Sequence, residues 1–161
     1  MTAESAKELI ALMSKRDTTL ATCESITGGG IGAALTAVPG ASAVFRGALV
    51  TYASDLKSTL AGVDEALIET EGVINELTAI QMALGAQSRC NADWAVATTG
   101  VAGPTEVDGV KVGTVWFAVV GPAPGMSPRP QYTALKHFEG DREAIREAAI
   151  DHAIEMLLRV Q

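Results

Sequence analysis

The stretch Cys23-Glu24-Ser25-Ile26-Thr27-Gly28-Gly29-Gly30 decides the fold, because it joins a predicted buried strand, Thr18–Thr22, to a predicted helix. A serine at such a strand tip is exposed above the sheet, and glycines at a helix N-terminus leave backbone N–H groups open to an anion. The junction therefore predicts a nucleophile, Ser25, beside an anion site at Gly28–Gly30. A structural role, in which Ser25 and Thr27 only cap the helix, also explains these residues.

The composition limits the class of protein. The chain has 161 residues, of which 48% are hydrophobic, so we expect a single domain over residues 1–161. The net charge of −7 disfavours nucleic-acid binding. We expect a cytoplasmic protein without a membrane span, because no apolar run approaches about 18 residues and the N-terminus has no signal core. The two cysteines and two histidines lie in no metal-ligand spacing, so we predict neither a metal nor another cofactor.

The order of predicted elements indicates the fold class. Helices separate the early strands, whereas a loop without helical pattern, residues 105–112, leads into a strand that should therefore run antiparallel. This order predicts a three-layer α/β/α sandwich with a mixed, mostly parallel sheet of about five strands. The segment Gly47–Tyr52 is continuous enough in apolar character that we expect it to be buried on both faces. The helix after it should be capped by Ser54 or Asp55. The predicted strands are Thr18–Thr22, Gly47–Tyr52, Trp94–Thr99, Gly113–Val120 and Gln131–Phe138.

Polar residues follow the predicted parallel strands at their carboxyl ends, where open α/β sheets bind ligands. The first strand ends near Ser25, the second near Tyr52 and Lys57, and the third at Thr98 and Thr99. These ends predict an active site above one edge of the sheet.

Serine needs a base to remove its proton, and Lys57 is the candidate. The pKa of a free lysine is about 10.4, so a base at neutral pH needs a fall of roughly 3, which corresponds to about 4 kcal/mol and which burial can supply. The Tyr52 hydroxyl is a candidate proton relay, and backbone N–H groups at Thr27–Gly29 or after Thr99 are candidate oxyanion donors. Three alternatives remain open, namely that Lys57 is an exposed lysine, that Tyr52 is an ordinary strand tyrosine and that Glu24 is a solvated carboxylate.

Two other motif matches carry less weight. Gly28, Gly30 and Ala33 fit G-x-G-x-x-A, but no acidic residue follows about 20 positions later at a second strand tip, so dinucleotide binding is disfavoured. Ser54 and Lys57 fit the S-x-x-K of penicillin-binding enzymes, but the S-D-N and K-T-G motifs that accompany it there are missing.

Five segments carry a family resemblance: Glu24–Gly29, Tyr52–Lys57, Thr98–Pro104, Val112–Val115 and Phe138–Arg142. In this order the chain resembles the nicotinamide-nucleotide amidase family, also known as the C-terminal domain of the competence/damage-inducible protein CinA. The resemblance extends from about Ser5 to Leu158 and fits a stand-alone form without the molybdopterin-binding-like domain that many relatives carry. The chain has Gly72-Val73-Ile74-Asn75 where the family often has Gly-Ala-Val-Ser, and its loop at residues 105–111 is short.

The family hydrolyses the carboxamide of nicotinamide mononucleotide to nicotinate mononucleotide and ammonia, in pyridine-nucleotide salvage. The resemblance implies that Ser25 is the nucleophile, Lys57 its base and Tyr52 a supporting proton relay. It also implies a homodimer. The residues expected to bind the substrate are Glu24, Thr27, Gly28, Gly29, Gly30, Thr98, Thr99, Gly100 and Arg142. Two alternatives remain, namely a non-catalytic nucleotide-binding or regulatory module of the same fold and an acyl hydrolase that uses Ser54 with Lys57.

Overall fold

The structure, a computed structural model, describes residues 2–125 and 128–161. Helices separate the first three strands along the chain. The helices are α1 (Thr2–Lys15), α2 (Gly30–Thr36), α3 (Ser54–Ala61), α4 (Glu65–Glu71), α5 (Glu76–Arg89) and α6 (Arg142–Val160). The strands are β1 (Leu20–Glu24), β2 (Phe45–Val50), β3 (Trp94–Gly100), β4 (Thr114–Val120) and β5 (Gln131–His137).

The five strands form one mixed sheet in the order β2-β1-β3-β4-β5. Strand β1 pairs in parallel with β2 and with β3, whereas β4 is antiparallel to both of its neighbours. The predicted antiparallel return of the fourth strand is therefore confirmed, since the loop before it supplies no crossover helix. As a result, the carboxyl ends of β1, β2 and β3 meet at one edge of the sheet.

Successive side chains of a strand point to opposite faces of the sheet, and they contribute to two hydrophobic cores, one on each face. On one face, helices α1, α2 and α6 cover large residues such as Leu20, Val96 and Phe117. On the other face the strands present small residues, so that α5 packs closely; these residues are Ala21, Cys23, Ala95, Ala97 and Ala118. The contact between α3 and α5 is also close, because a Cβ at Gly85 would lie 1.9 Å from the Ala61 carbonyl oxygen. These layers confirm the predicted α/β/α sandwich.

Two local predictions are wrong. Strand β2 is not buried on both faces; its residues alternate between half-buried and exposed, because it forms an edge of the sheet. Neither Ser54 nor Asp55 caps α3, since the N-cap position is Ala53, whose side chain makes no capping hydrogen bond.

Other helix starts follow the sequence. The side chains of Asp64, Asn75 and Asp141 each accept a hydrogen bond from a backbone N–H in the first turn of α4, α5 and α6. Within the ranges that the structure describes, no helix has the length and apolar character needed to cross a bilayer.

Candidate active site

Ser25 and Lys57 meet above the sheet. Ser25 follows the last residue of β1, and Lys57 lies in the first turns of α3, where its Nζ donates a hydrogen bond to Ser25 Oγ at 3.0 Å. The same Nζ donates to the carbonyl oxygens of Thr51 at 2.8 Å and Tyr52 at 3.4 Å. These contacts place three acceptors around the amine. After loss of one proton, two N–H groups can remain on the carbonyls while the lone pair faces Ser25.

The environment of Lys57 suits a base. The residue is only 1% exposed, so the alternative of a surface lysine is wrong. Burial lowers the pKa of Lys57 from 10.5 to about 8, and the nearby Cys23 opposes this fall. With that pKa, about one molecule in ten carries a neutral Lys57 at pH 7.

A cavity of about 310 Å³ opens at this pair. Its polar lining includes Ser25, Tyr52, Lys57, Thr99 and Arg142. Apolar residues from two loops also line it, namely Val73, Ile74, Val101, Ala102 and Val107. The cavity therefore combines a buried hydroxyl–amine pair, an apolar wall and a cation.

Tyr52 and Arg142 lie at the mouth of the cavity. Tyr52 is 58% exposed, and its hydroxyl accepts a hydrogen bond from Arg142 Nη2 at 2.8 Å. Arg142 Nη1 also donates to the Gly103 carbonyl at 2.6 Å. Among the described residues, no hydrogen bond joins the Tyr52 hydroxyl to Ser25 or Lys57. In this arrangement the Tyr52 hydroxyl, the predicted proton relay, is hydrogen-bonded to Arg142 instead of to Ser25 or Lys57.

Glu24 lies in the interior instead of in the cavity, and it is fully buried. Its carboxylate accepts hydrogen bonds from the Thr27 hydroxyl at 2.8 Å and from the N–H groups of Ile31 at 2.8 Å and Gly32 at 3.0 Å. The Thr22 hydroxyl donates to it as well, at 2.9 Å. The predicted substrate contact is thus replaced by a structural one, in which Glu24 caps α2. The alternatives of a solvated Glu24 and of a cap by Ser25 or Thr27 are both wrong.

Glu24→Gln is expected to lower the free energy of unfolding by about 2 to 3 kcal/mol, because the amide nitrogen cannot accept the hydrogen bonds that one carboxylate oxygen receives. Urea denaturation followed by circular dichroism measures the change. The matched control is Glu8→Gln on the exposed side of α1, which should leave the midpoint unchanged. Equal midpoints for the two variants would contradict the cap.

The predicted substrate-binding glycines Gly28, Gly29 and Gly30 also lie outside the cavity lining. The Gly28 N–H donates to the Ser25 carbonyl and the Gly30 N–H to the Thr27 carbonyl, at 3.0 and 2.9 Å. The predicted anion site at Gly28–Gly30 therefore has two of its donors occupied. The hydroxyls of Thr98 and Thr27 lie 3.0 Å apart, and both residues are fully buried, so Thr98 supports the turn from below.

Thr99 and Gly100 do line the cavity. The Thr99 hydroxyl donates to the Val73 carbonyl at 2.6 Å and so holds the loop between α4 and α5 against the site. Gly100 has no room for a side chain, because a Cβ there would lie 2.6 Å from the Thr114 carbonyl oxygen.

Sequence reasoning missed the apolar wall and one further arginine. Val73 and Ile74 belong to a segment noted only for its departure from the family pattern. Arg146 of α6 donates to the carbonyls of Ile26 and Thr27. Its spacing of four residues from Arg142 places both on one face of the helix, which was the available signal.

Cys23, which precedes this turn, is not a second nucleophile. Burial raises the pKa of its thiol to about 11, although a contact between Cys23 Sγ and Thr51 Oγ1 at 3.5 Å favours the thiolate. Over residues 2–125 and 128–161, no three His, Cys, Asp or Glu side chains converge in a way that could hold a metal ion.

Comparison with known proteins assigns the family. The family described as "CinA C-terminal domain" matches residues 2–161. The chain belongs to this family. This CinA C-terminal domain is 41% identical over 152 residues to the CinA-like protein of Frankia casuarinae, which covers 94% of this chain and 34% of that protein. The domain thus spans about a third of the length of the curated relatives it matches.

Solved structures of CinA proteins share its fold. A competence-damaged protein (CinA) superfamily protein from Escherichia coli matches with a TM-score of 0.92 at 31% identity, covering 100% of this chain and 91% of that one. The competence/damage inducible protein CihA from Agrobacterium tumefaciens matches with a TM-score of 0.89 at 34% identity, covering 98% and 94%. These similarities confirm the predicted family and fold class of the CinA domain.

Proposed function

We propose that the domain is an amidohydrolase that converts nicotinamide mononucleotide to nicotinate mononucleotide and ammonia through an acyl-enzyme on Ser25. The observation that carries the proposal is the 3.0 Å contact between Ser25 Oγ and the buried Nζ of Lys57. Burying an amine without a carboxylate partner is unfavourable for folding, so stability alone does not explain this arrangement. Nucleophile activation by an amine of lowered pKa does explain it.

The cavity suits this substrate. Its volume of about 310 Å³ lies at the lower end of the range of ligand pockets, and its apolar wall can pack on a pyridine ring. Arg142 at the mouth supplies a cation for the phosphate, in place of the predicted site at Gly28–Gly30. A guanidinium has five donors, so bonds to Tyr52 and Gly103 leave others for an anion.

In the proposed reaction, neutral Lys57 takes the proton of Ser25 as Oγ bonds to the carboxamide carbon, whose carbonyl electrons move to oxygen. The oxyanion then collapses, the C–N bond breaks, and the Lys57 ammonium returns its proton to the leaving nitrogen, which departs as ammonia. Lys57 next takes a proton from water while the resulting hydroxide attacks the ester. Breaking of the bond between Oγ and the acyl carbon, with proton return from Lys57, regenerates Ser25.

One backbone N–H group at the cavity is available for the oxyanion. The bond from the Gly28 N–H to the Ser25 carbonyl closes a turn whose central residues are Ile26 and Thr27. Among the described residues, the Ile26 N–H has no acceptor and Ile26 lines the cavity, whereas Thr27 is fully buried and lies outside the lining. A donor of this kind, next to the nucleophile, suits a developing negative charge.

Incubation of the purified chain with nicotinamide mononucleotide tests the proposal. We expect ammonia and nicotinate mononucleotide in equal amounts, measured by an enzymatic ammonia assay and by chromatography. Calorimetric binding of the nucleotide without release of ammonia would instead support the non-catalytic module. The cytoplasmic location and the homodimer stay predictions.

The pH dependence of the reaction should follow Lys57. Because the base must be neutral and its pKa is about 8, kcat/KM is expected to fall as the pH drops through about 8. Well below that pKa the fall should approach tenfold per pH unit, and above about pH 9 the rate should level off. Initial rates between pH 6 and 9.5 measure the profile, with thermal unfolding recorded at each pH. A profile that is flat from pH 6 to 8 would contradict the role of Lys57.

A further inference from the structure

Arg146 makes two hydrogen bonds to the turn that follows the nucleophile. The residue lies half-buried on α6, where Nε donates to the Ile26 carbonyl at 3.1 Å and Nη2 to the Thr27 carbonyl at 3.2 Å. Among the described residues, no carboxylate lies within salt-bridge distance of its guanidinium. Arg146 therefore directs its charge at two backbone carbonyls instead of at an acidic side chain.

These carbonyls belong to the turn that carries the candidate oxyanion donor. The Thr27 carbonyl, which accepts from Arg146, shares its peptide group with the Gly28 N–H, and this N–H donates to the Ser25 carbonyl. The Ser25 carbonyl in turn shares its peptide group with the Ile26 N–H, which has no acceptor among the described residues. Hydrogen bonds in series polarise one another, so the cation at the start of this series draws electron density from the Ile26 N–H. The second bond of Arg146, to the Ile26 carbonyl, fixes the next peptide of the turn.

The turn and the guanidinium are also in close contact. Gly28 has a positive φ of 58°, and a Cβ at this position would lie 3.4 Å from Arg146 Nη2. Beneath the turn, the Thr27 hydroxyl is bonded to the buried carboxylate of Glu24. The turn is therefore held from the interior by Glu24 and from α6 by Arg146, which leaves little freedom for the direction of its N–H groups.

We propose that Arg146 is a positioning residue, which orients the turn and polarises its peptides so that the Ile26 N–H stabilises the oxyanion of the intermediate bonded to Ser25 Oγ. The inference rests on the acyl-enzyme chemistry of the proposed function, but it does not depend on which amide is the natural substrate. A direct oxyanion donor contributes 10²–10³-fold to the rate in other hydrolases. Since Arg146 acts through a peptide group, we expect a smaller contribution, on the order of 10- to 100-fold.

The test compares Arg146→Met and Arg146→Lys with the wild-type chain in the acylation of Ser25 by p-nitrophenyl acetate, measured as the burst of nitrophenolate. The matched control is Arg159→Met, which removes an exposed arginine of the same helix that forms a salt bridge with Glu155. We expect the rate of acylation to fall about 10- to 100-fold in Arg146→Met and less in Arg146→Lys, which keeps a cation within reach of one carbonyl. The affinity for nicotinamide mononucleotide, measured in the Ser25→Ala background, should not change.

The possible results separate the inference from the proposed function. Absence of a Ser25-dependent burst in the wild-type chain would count against the acyl-enzyme itself. If the wild-type chain acylates and Arg146→Met acylates equally fast, Arg146 does not position the oxyanion site and the inference is overturned. A lower melting temperature in Arg146→Met with an unchanged rate per folded molecule would likewise reduce Arg146 to a structural tether.

Discussion

Ser25→Ala is expected to lower the rate of ammonia release from nicotinamide mononucleotide by roughly 10⁴-fold or more, as loss of the nucleophile does in serine hydrolases. The reason is that removal of Oγ leaves the carboxamide carbon with no attacking atom, while the cavity and its candidate oxyanion donor stay in place. Since Ser25 is a small residue at 8% exposure, the fold should tolerate the change. Kinetic assays under substrate saturation, with calorimetry for nucleotide binding, measure the two effects separately.

The matched control for Ser25→Ala is Ser54→Ala. Ser54 also lines the cavity, and it is the nucleophile in the alternative of an acyl hydrolase that uses Ser54 with Lys57. We expect Ser54→Ala to retain activity within a few-fold of wild type. The opposite result, loss of activity in Ser54→Ala but not in Ser25→Ala, would favour that alternative and reject the mechanism proposed for Ser25.

Lys57→Met is expected to lower kcat by about 10² to 10⁴-fold, the usual contribution of a general base. Methionine has a similar length and no ionisable group, so it removes the amine while filling most of the space. The variant Lys57→Arg tests whether Lys57 acts as a base or only as a positive charge. A guanidinium keeps the positive charge but does not lose its proton in proteins, so this variant should be as inactive as Lys57→Met.

Two comparisons complete this experiment. Lys15→Met, at an exposed position of α1, is the control for a general loss of positive charge and should keep wild-type activity. Any residual activity of Lys57→Met should lose the dependence on pH around 8 that the wild-type chain is expected to show. Substantial activity in Lys57→Arg would mean that Lys57 supplies a charge and not a base, and it would contradict the proposed mechanism.

Two buried ionisable side chains near the site, Lys57 and Glu24, have different surroundings. In the part of the chain that the structure describes, no carboxylate forms a salt bridge with the buried amine of Lys57; carbonyl oxygens and the Ser25 hydroxyl are its hydrogen-bond partners. The buried carboxylate of Glu24, in contrast, is saturated by N–H and hydroxyl donors and serves the framework. Two adjacent residues of one motif, Glu24 and Ser25, therefore have separate tasks. Glu24 fixes the start of α2, and Ser25 faces the cavity.

The amino-acid sequence by itself determined the features that depend on neighbouring residues. Apolar runs separated by helical apolar patterns predicted the α/β class, and the polar residues Asp64, Asn75 and Asp141 marked helix starts that the structure contains. The motif around Ser25 placed a hydroxyl at the end of a parallel strand. Such features follow from local backbone preference and from which face of an element is apolar.

Only the tertiary structure decided which distant residues meet. The strand order places β2 at an edge, although its apolar sequence resembles that of a central strand. The contact of Lys57 with Ser25 spans 32 positions, and that of Arg146 with the Ile26 carbonyl spans 120. The interior position of Glu24 likewise depends on the helix that begins above it. Contacts of this kind depend on strand order, register and burial together, and periodicity along the chain encodes none of these.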